Sequence, residues 1–136
     1  MELYLLRHAH AGDPLAWSGD DAARPLSARG RRQAARLGAH LAALGLRPDA
    51  IVSSPKTRAR ETAAAIGASL GREVRLDARL AAGFDLRALR TLVEELGGEV
   101  VETEVDVVLV GANTATLVDL DGHGAGHDIA GGEILD

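Results

Sequence analysis

Cysteine is absent from the 136 residues. That excludes a disulfide framework, thiol catalysis and thiolate zinc sites. No apolar run approaches the roughly 20 residues a bilayer span requires, so no membrane partner is expected. The opening stretch, Met1 to Arg7, has neither a basic n-region nor a long apolar h-region. No signal peptide is expected from it, and the cytoplasm is the default compartment. An excess of positive charge is missing too: the formal net charge is −5, which disfavours nucleic acid as a partner. What is present is an ordinary globular balance, 46% hydrophobic and 26% charged. A chain of this length makes one domain and buries roughly two thirds of its unfolded surface.

Charge is distributed unevenly. Residues 1–60 carry ten basic and five acidic side chains, and residues 61–136 carry five basic and fifteen acidic. Fourteen of the fifteen basic residues are Arg, the exception being Lys56. Arg suits forked gripping of phosphate, although a solvated basic surface accounts for the same count.

Strand and helix signals alternate. Glu2 to Leu6 reads as a short buried strand running into Arg7 and His8. Residues 9–25 hold Gly12, Pro14, Ser18, Gly19, Asp20, Asp21 and Pro25, which is loop chemistry. Ser27 caps a predicted helix through Leu44, with Leu37, Leu41 and Leu44 at helical spacing and Gly45 as its stop. Ala50 to Ser53 is a second strand. Pro55 opens a helix over about residues 57–69, ending at Gly71. Glu73 to Leu76 is a third strand candidate. Asp85 caps a helix carrying Leu86, Leu89, Leu92, Val93 and Leu96, stopped by Gly97 and Gly98. Val105 to Val110 is the clearest buried strand. The alternation predicts a single α/β domain, a mostly parallel central sheet flanked by helices on both faces. From Asp121 the chain turns polar and Gly-rich, predicting a loop or poorly ordered tail with a short strand candidate at Glu133 to Leu135.

Ligands of open α/β sheets bind outside the carboxyl ends of the strands. Three polar motifs fall there: Arg7-His8, Ser53-Ser54-Pro55-Lys56-Thr57-Arg58 and Gly111-Ala112-Asn113-Thr114. A helix N-terminus with converging Arg side chains forms an anion site, and a neutral imidazole beside it is a nucleophile toward phosphorus. The alternative is that His8 is a satisfied polar residue and Arg7 a surface cation.

Leu5-Leu6-Arg7-His8-Ala9-His10-Ala11 resembles the Arg-His signature of the histidine phosphatase superfamily. Arg24-Pro25-Leu26-Ser27 and the helix after it, Gly45-Leu46-Arg47-Pro48-Asp49 leading to Ser53 through Ala63, and Val108-Leu109-Val110-Gly111 are similar to further blocks of its small SixA-type branch of phosphohistidine phosphatases. Four blocks occur in order over about residues 1–118. The resemblance implies a histidine-phosphatase-like domain over residues 1–120 and a Gly-rich tail over 121–136. It implies that His8 takes up the phosphoryl group, that Arg7 and Arg58 clamp its oxygens, and that Arg24 adds a phosphate contact. Arg58 as a helix-surface residue and Arg24 as a loop-anchoring salt bridge are the alternatives. No cofactor or metal is implied, because guanidinium groups supply the positive charge. The implied partner is a phosphorylated protein or a small phosphorylated substrate.

Four positions depart from the pattern. Ala9 replaces the usual Gly. His10 stands where an acidic or basic residue is usual, either as a second imidazole lining the pocket or as an exposed loop residue. Ala112 replaces the second His of the block Gly-His-x-Pro, and Thr114 its Pro. Loss of one preorganised donor costs about 10²–10³ in rate. The departure implies weakened or lost turnover, replacement of the imidazole by His123 or His127, or an altered C-terminal stretch. His123, His127 and Asp128 also suggest metal binding, but Gly124 and Gly126 argue against the helix that would align them. In ester-cleaving members a carboxylic acid follows the Arg-bearing helix. The region here reads Leu80-Ala81-Ala82-Gly83-Phe84-Asp85, with Asp85 as a cap. A phosphoramidate such as phosphohistidine leaves with weaker acid assistance, so it is the favoured substrate.

Overall fold

The computed structural model describes residues 3–81, 86–97 and 107–111. Strand β1 (Leu3–Arg7) leads through a long loop to helix α1 (Ala28–Ala43). Strand β2 (Ala50–Ser53), helix α2 (Thr57–Leu70), strand β3 (Val74–Leu76), helix α3 (Leu86–Gly97) and strand β4 (Val107–Gly111) follow. The four strands form one parallel sheet in the order β1-β4-β2-β3. Parallel neighbours require crossover connections, which the intervening helices supply. Chain order and sheet order differ: β4 lies between β1 and β2.

The expected elements appear with small shifts at their ends. β1 includes Arg7, β3 starts at Val74 rather than Glu73, and β4 reaches Gly111. Glu2, Asp85, Gly98, Val105, Asp106 and the tail 121–136 lie outside the described residues. The 9–25 loop is more ordered than its composition suggests. It contains two 3-10 turns, Pro14–Ala16 and Asp21–Ala23, capped by the carboxylates of Asp13 and Asp20. A further turn spans Ala78–Leu80.

Local chemistry explains the helix ends. Ser27 Oγ accepts the Gly30 N–H at 3.0 Å and caps α1. Gly71, at φ 67°, closes α2 in the left-handed region that side chains avoid. Pro55 lies two residues before α2; Lys56 holds the cap position without a side-chain bond, and Ser54 Oγ accepts the Lys56 N–H at 3.2 Å.

α1 and α2 pack together on one face of the sheet. The core there joins Leu6 and Ile51 to Leu37 and Leu41 of α1 and to Ala59, Ala63 and Ile66 of α2. Val52 points to the opposite face by strand alternation, yet it is 1% exposed against 0% for Ile51. Both faces are therefore covered, as expected for a parallel sheet. No helix among the described residues is long and apolar enough to cross a membrane.

Candidate active site

β1 delivers Arg7 and His8 to the carboxyl edge of the sheet, where Arg7 pairs with Gly111 of β4. α2 delivers Arg58 from its first turn. Between them opens a cavity of about 540 Å³ lined by Arg7, His8, His10, Arg24, Lys56 and Arg58, among others. The long loop is stapled to the start of α1. Ser27 N–H and Ser27 Oγ–H donate to the His10 carbonyl at 2.9 and 3.1 Å, and His10 N–H donates to Gln33 Oε1 at 3.0 Å. Ala9 N–H donates to Thr62 Oγ1 at 3.1 Å, and that hydroxyl donates to the Arg58 carbonyl at 2.7 Å. The segment that follows His8 and the helix that carries Arg58 are thus fastened to each other.

His8 is half-buried. Its Nδ1 lies 2.8 Å from the Ala9 carbonyl oxygen, an acceptor only, so Nδ1 carries the proton. The lone pair then belongs to Nε2, which accepts from Arg58 Nε at 3.2 Å. Burial, the largest influence, holds the His8 pKa below the ordinary imidazole range. The Ala9 bond opposes this, and Arg58, Arg7 and Arg24 add to the lowering. The ring is therefore kept neutral and its lone pair available.

The arginines differ. Arg58 is 5% exposed and Arg24 is 7% exposed, whereas Arg7 is exposed. Arg58 Nη1 donates to the Asp21 carbonyl at 2.7 Å and Nη2 to Asp21 Oδ2 at 3.0 Å. Arg24 Nε donates to Asp21 Oδ1 at 3.1 Å, and its Nη1 to the Ala11 and Gly12 carbonyls at 2.7 and 3.2 Å. Arg24 thus anchors the loop while also lining the cavity. His10 is both exposed and cavity-lining, with Nδ1 2.6 Å from Ser27 Oγ.

His8, Arg7, Arg24 and Arg58 therefore converge on one cavity. Ala112, Asn113, Thr114, His123, His127 and Asp128 lie outside the described residues. Among the described residues, no group of three His, Asp or Glu side chains is placed to hold a metal ion. Sequence reasoning missed Asp21 and Thr62. Asp21 had only its place three residues before Arg24 to mark it, and Thr62 only its helical spacing from Arg58.

The model of the histidine phosphatase superfamily (branch 1) matches residues 3–82. An uncharacterised protein of Picosynechococcus sp. is 38% identical over 69 residues, covering 51% of this chain and 41% of that protein. The chain therefore matches less than half the length of that relative. Among solved structures, a protein assigned as the phosphohistidine phosphatase SixA of Agrobacterium tumefaciens is 30% identical, with a TM-score of 0.65 over 82% of this chain and 69% of the other. The protein histidine phosphatase SixA complexed with tungstate has a TM-score of 0.73 at 20% identity, covering 94% of both chains, a likeness of fold.

Proposed function

The chain belongs to the histidine phosphatase superfamily, and from that premise we propose that it is a phosphatase hydrolysing phosphohistidine, or a similar labile phosphoramidate, through His8. The observation that carries this reading is the pairing of His8, whose lone pair the Nδ1 bond to Ala9 places on Nε2, with the guanidinium of Arg58 at 3.2 Å.

In the first step His8 Nε2 forms a bond to phosphorus as the bond to the leaving imidazole breaks, and that imidazole takes up a proton from solvent water. In the second, water attacks the phosphorylated His8, the P–N bond breaks, and phosphate departs with His8 neutral again. Arg58 and Arg7 balance the charge on the phosphoryl oxygens, with Arg24 and Lys56 contributing positive potential to the same cavity. No carboxylate lines the cavity among the described residues. In the sequence no Glu directly follows Leu80, which favours a phosphoramidate, whose leaving group departs with little acid assistance, over an ester. The A. tumefaciens neighbour, named for phosphohistidine, supports the same substrate class.

A second reading, a phosphate- or phosphoprotein-binding module without turnover, is favoured by Ala112 standing where the family pattern has its second His. One experiment separates the two. Phosphate release is measured from a phosphohistidine-bearing protein, with His8→Ala as control. Release abolished by the substitution supports the enzyme. Binding of phosphate or vanadate without release supports the module, and release that survives His8→Ala defeats the role given to His8.

A further inference from the structure

We infer that Asp21 is a positioning residue, holding the outer end of the Arg58 guanidinium so that its Nε edge is turned to His8. The inference rests on the function proposed above. A guanidinium has five N–H groups in a rigid plane. Two edges offer a parallel pair: the end formed by Nη1 and Nη2, and the side formed by Nε and Nη2. Asp21 occupies the end, its carbonyl oxygen on Nη1 and Oδ2 on Nη2. The side edge is the one presented to His8, with Nε already 3.2 Å from the nucleophilic nitrogen. A phosphoryl oxygen on His8 would therefore meet the Nε/Nη2 fork.

Two further observations set Asp21 apart from a chance ion pair. Its other carboxylate oxygen takes Arg24 Nε at 3.1 Å, so one anion ties two largely buried cations that line the cavity. Asp21 itself is not part of the cavity wall. It contacts both guanidiniums without contributing to the cavity lining. The turn that carries it is held in place: Asp20 Oδ1 accepts the Ala22 N–H at 3.1 Å, and Trp17 Nε1 donates to the Asp20 carbonyl at 2.9 Å. Prearranged donors of this kind need no reorganisation as charge develops.

This geometry predicts opposite effects on binding and turnover. Removing a negative charge that contacts two cations raises the positive potential of the cavity, so ground-state anion binding strengthens. Releasing the guanidinium misaligns the fork, so turnover falls. For Asp21→Asn we expect inorganic phosphate, titrated against the full chain, to bind about twofold or more tighter. Turnover of a phosphoramidate is expected to fall about 100-fold, the usual cost of displacing a catalytic group by an ångström. Weaker phosphate binding together with lower turnover would indicate a merely structural role and overturn the inference. Tighter binding with equal or faster turnover would mean that Asp21 only competes with the anion, and also overturns it. If Asp21→Asn does not fold, Asp21→Glu keeps the charge but shifts it by one methylene. It is expected to retain phosphate affinity and lose turnover about tenfold; loss of both, or of neither, overturns the inference. If the unaltered protein does not turn over the phosphoramidate, the proposed function itself fails and this inference with it. Normal turnover that Asp21→Asn leaves within threefold defeats the inference alone.

Discussion

His8 is subject to opposing influences on one ring. The Ala9 carbonyl favours a proton on the imidazole, whereas burial and three guanidiniums disfavour the charged form, and the net effect is a lowered pKa. Under the proposed function the neutral ring is the nucleophile, so activity is expected to fall as pH drops through that lowered value. In a profile of kcat/KM against pH, the acidic limb assigned to His8 is expected to have its midpoint below 6.5, the ordinary imidazole value. A midpoint at or above 6.5 would contradict the environment described. The same shift makes His8 a source of stability that rises with pH between its lowered value and 6.5, because the unfolded chain binds the proton more readily there. Arg7, His8 and Arg58 stood out in the sequence through their motifs. Asp21 did not, because its role depends on Arg58, 37 residues away.

At the scale of elements, the start of α1 and the loop before it act as one unit. A Cβ on Gly30 would run into the His10 carbonyl oxygen, a backbone atom that already accepts from Ser27 N–H and Oγ–H. Ala is favoured over Gly in helices by about 1 kcal/mol. Overpacking against backbone that is already bonded costs about 1–3 kcal/mol. Gly30→Ala is therefore expected to lower the urea midpoint despite its helix propensity. It is also expected to reduce turnover, since His8 and His10 ride on the displaced segment. An unchanged midpoint with unchanged turnover would show that the loop yields freely. Helix ends were legible here because Ser27 and Gly71 act within a turn of their own position. The 3-10 turns in the 9–25 loop were not, since Gly and Pro obscured the capping by Asp13 and Asp20.

Across the whole molecule, β4 threads between β1 and β2 and registers Gly111 against Arg7. Ala112, the departure from the family pattern, follows Gly111 directly in the chain and lies outside the described residues. Replacing Ala112 by His is expected to raise turnover about 100-fold, the scale of one restored donor. Steady-state phosphate release from a phosphoramidate measures it, and no gain would mean that residue 112 does not serve the phosphoryl site.

Periodicity and caps determined the run of helices and strands, and the motifs marked four side chains of the site, Arg7, His8, Arg24 and Arg58, because each of these signals is read over a few neighbouring residues. The sheet order, the proton held on His8 Nδ1 and the Asp21 tie between Arg24 and Arg58 were decided by the tertiary structure. Each depends on groups far apart in the chain, and only packing fixes the distances between them.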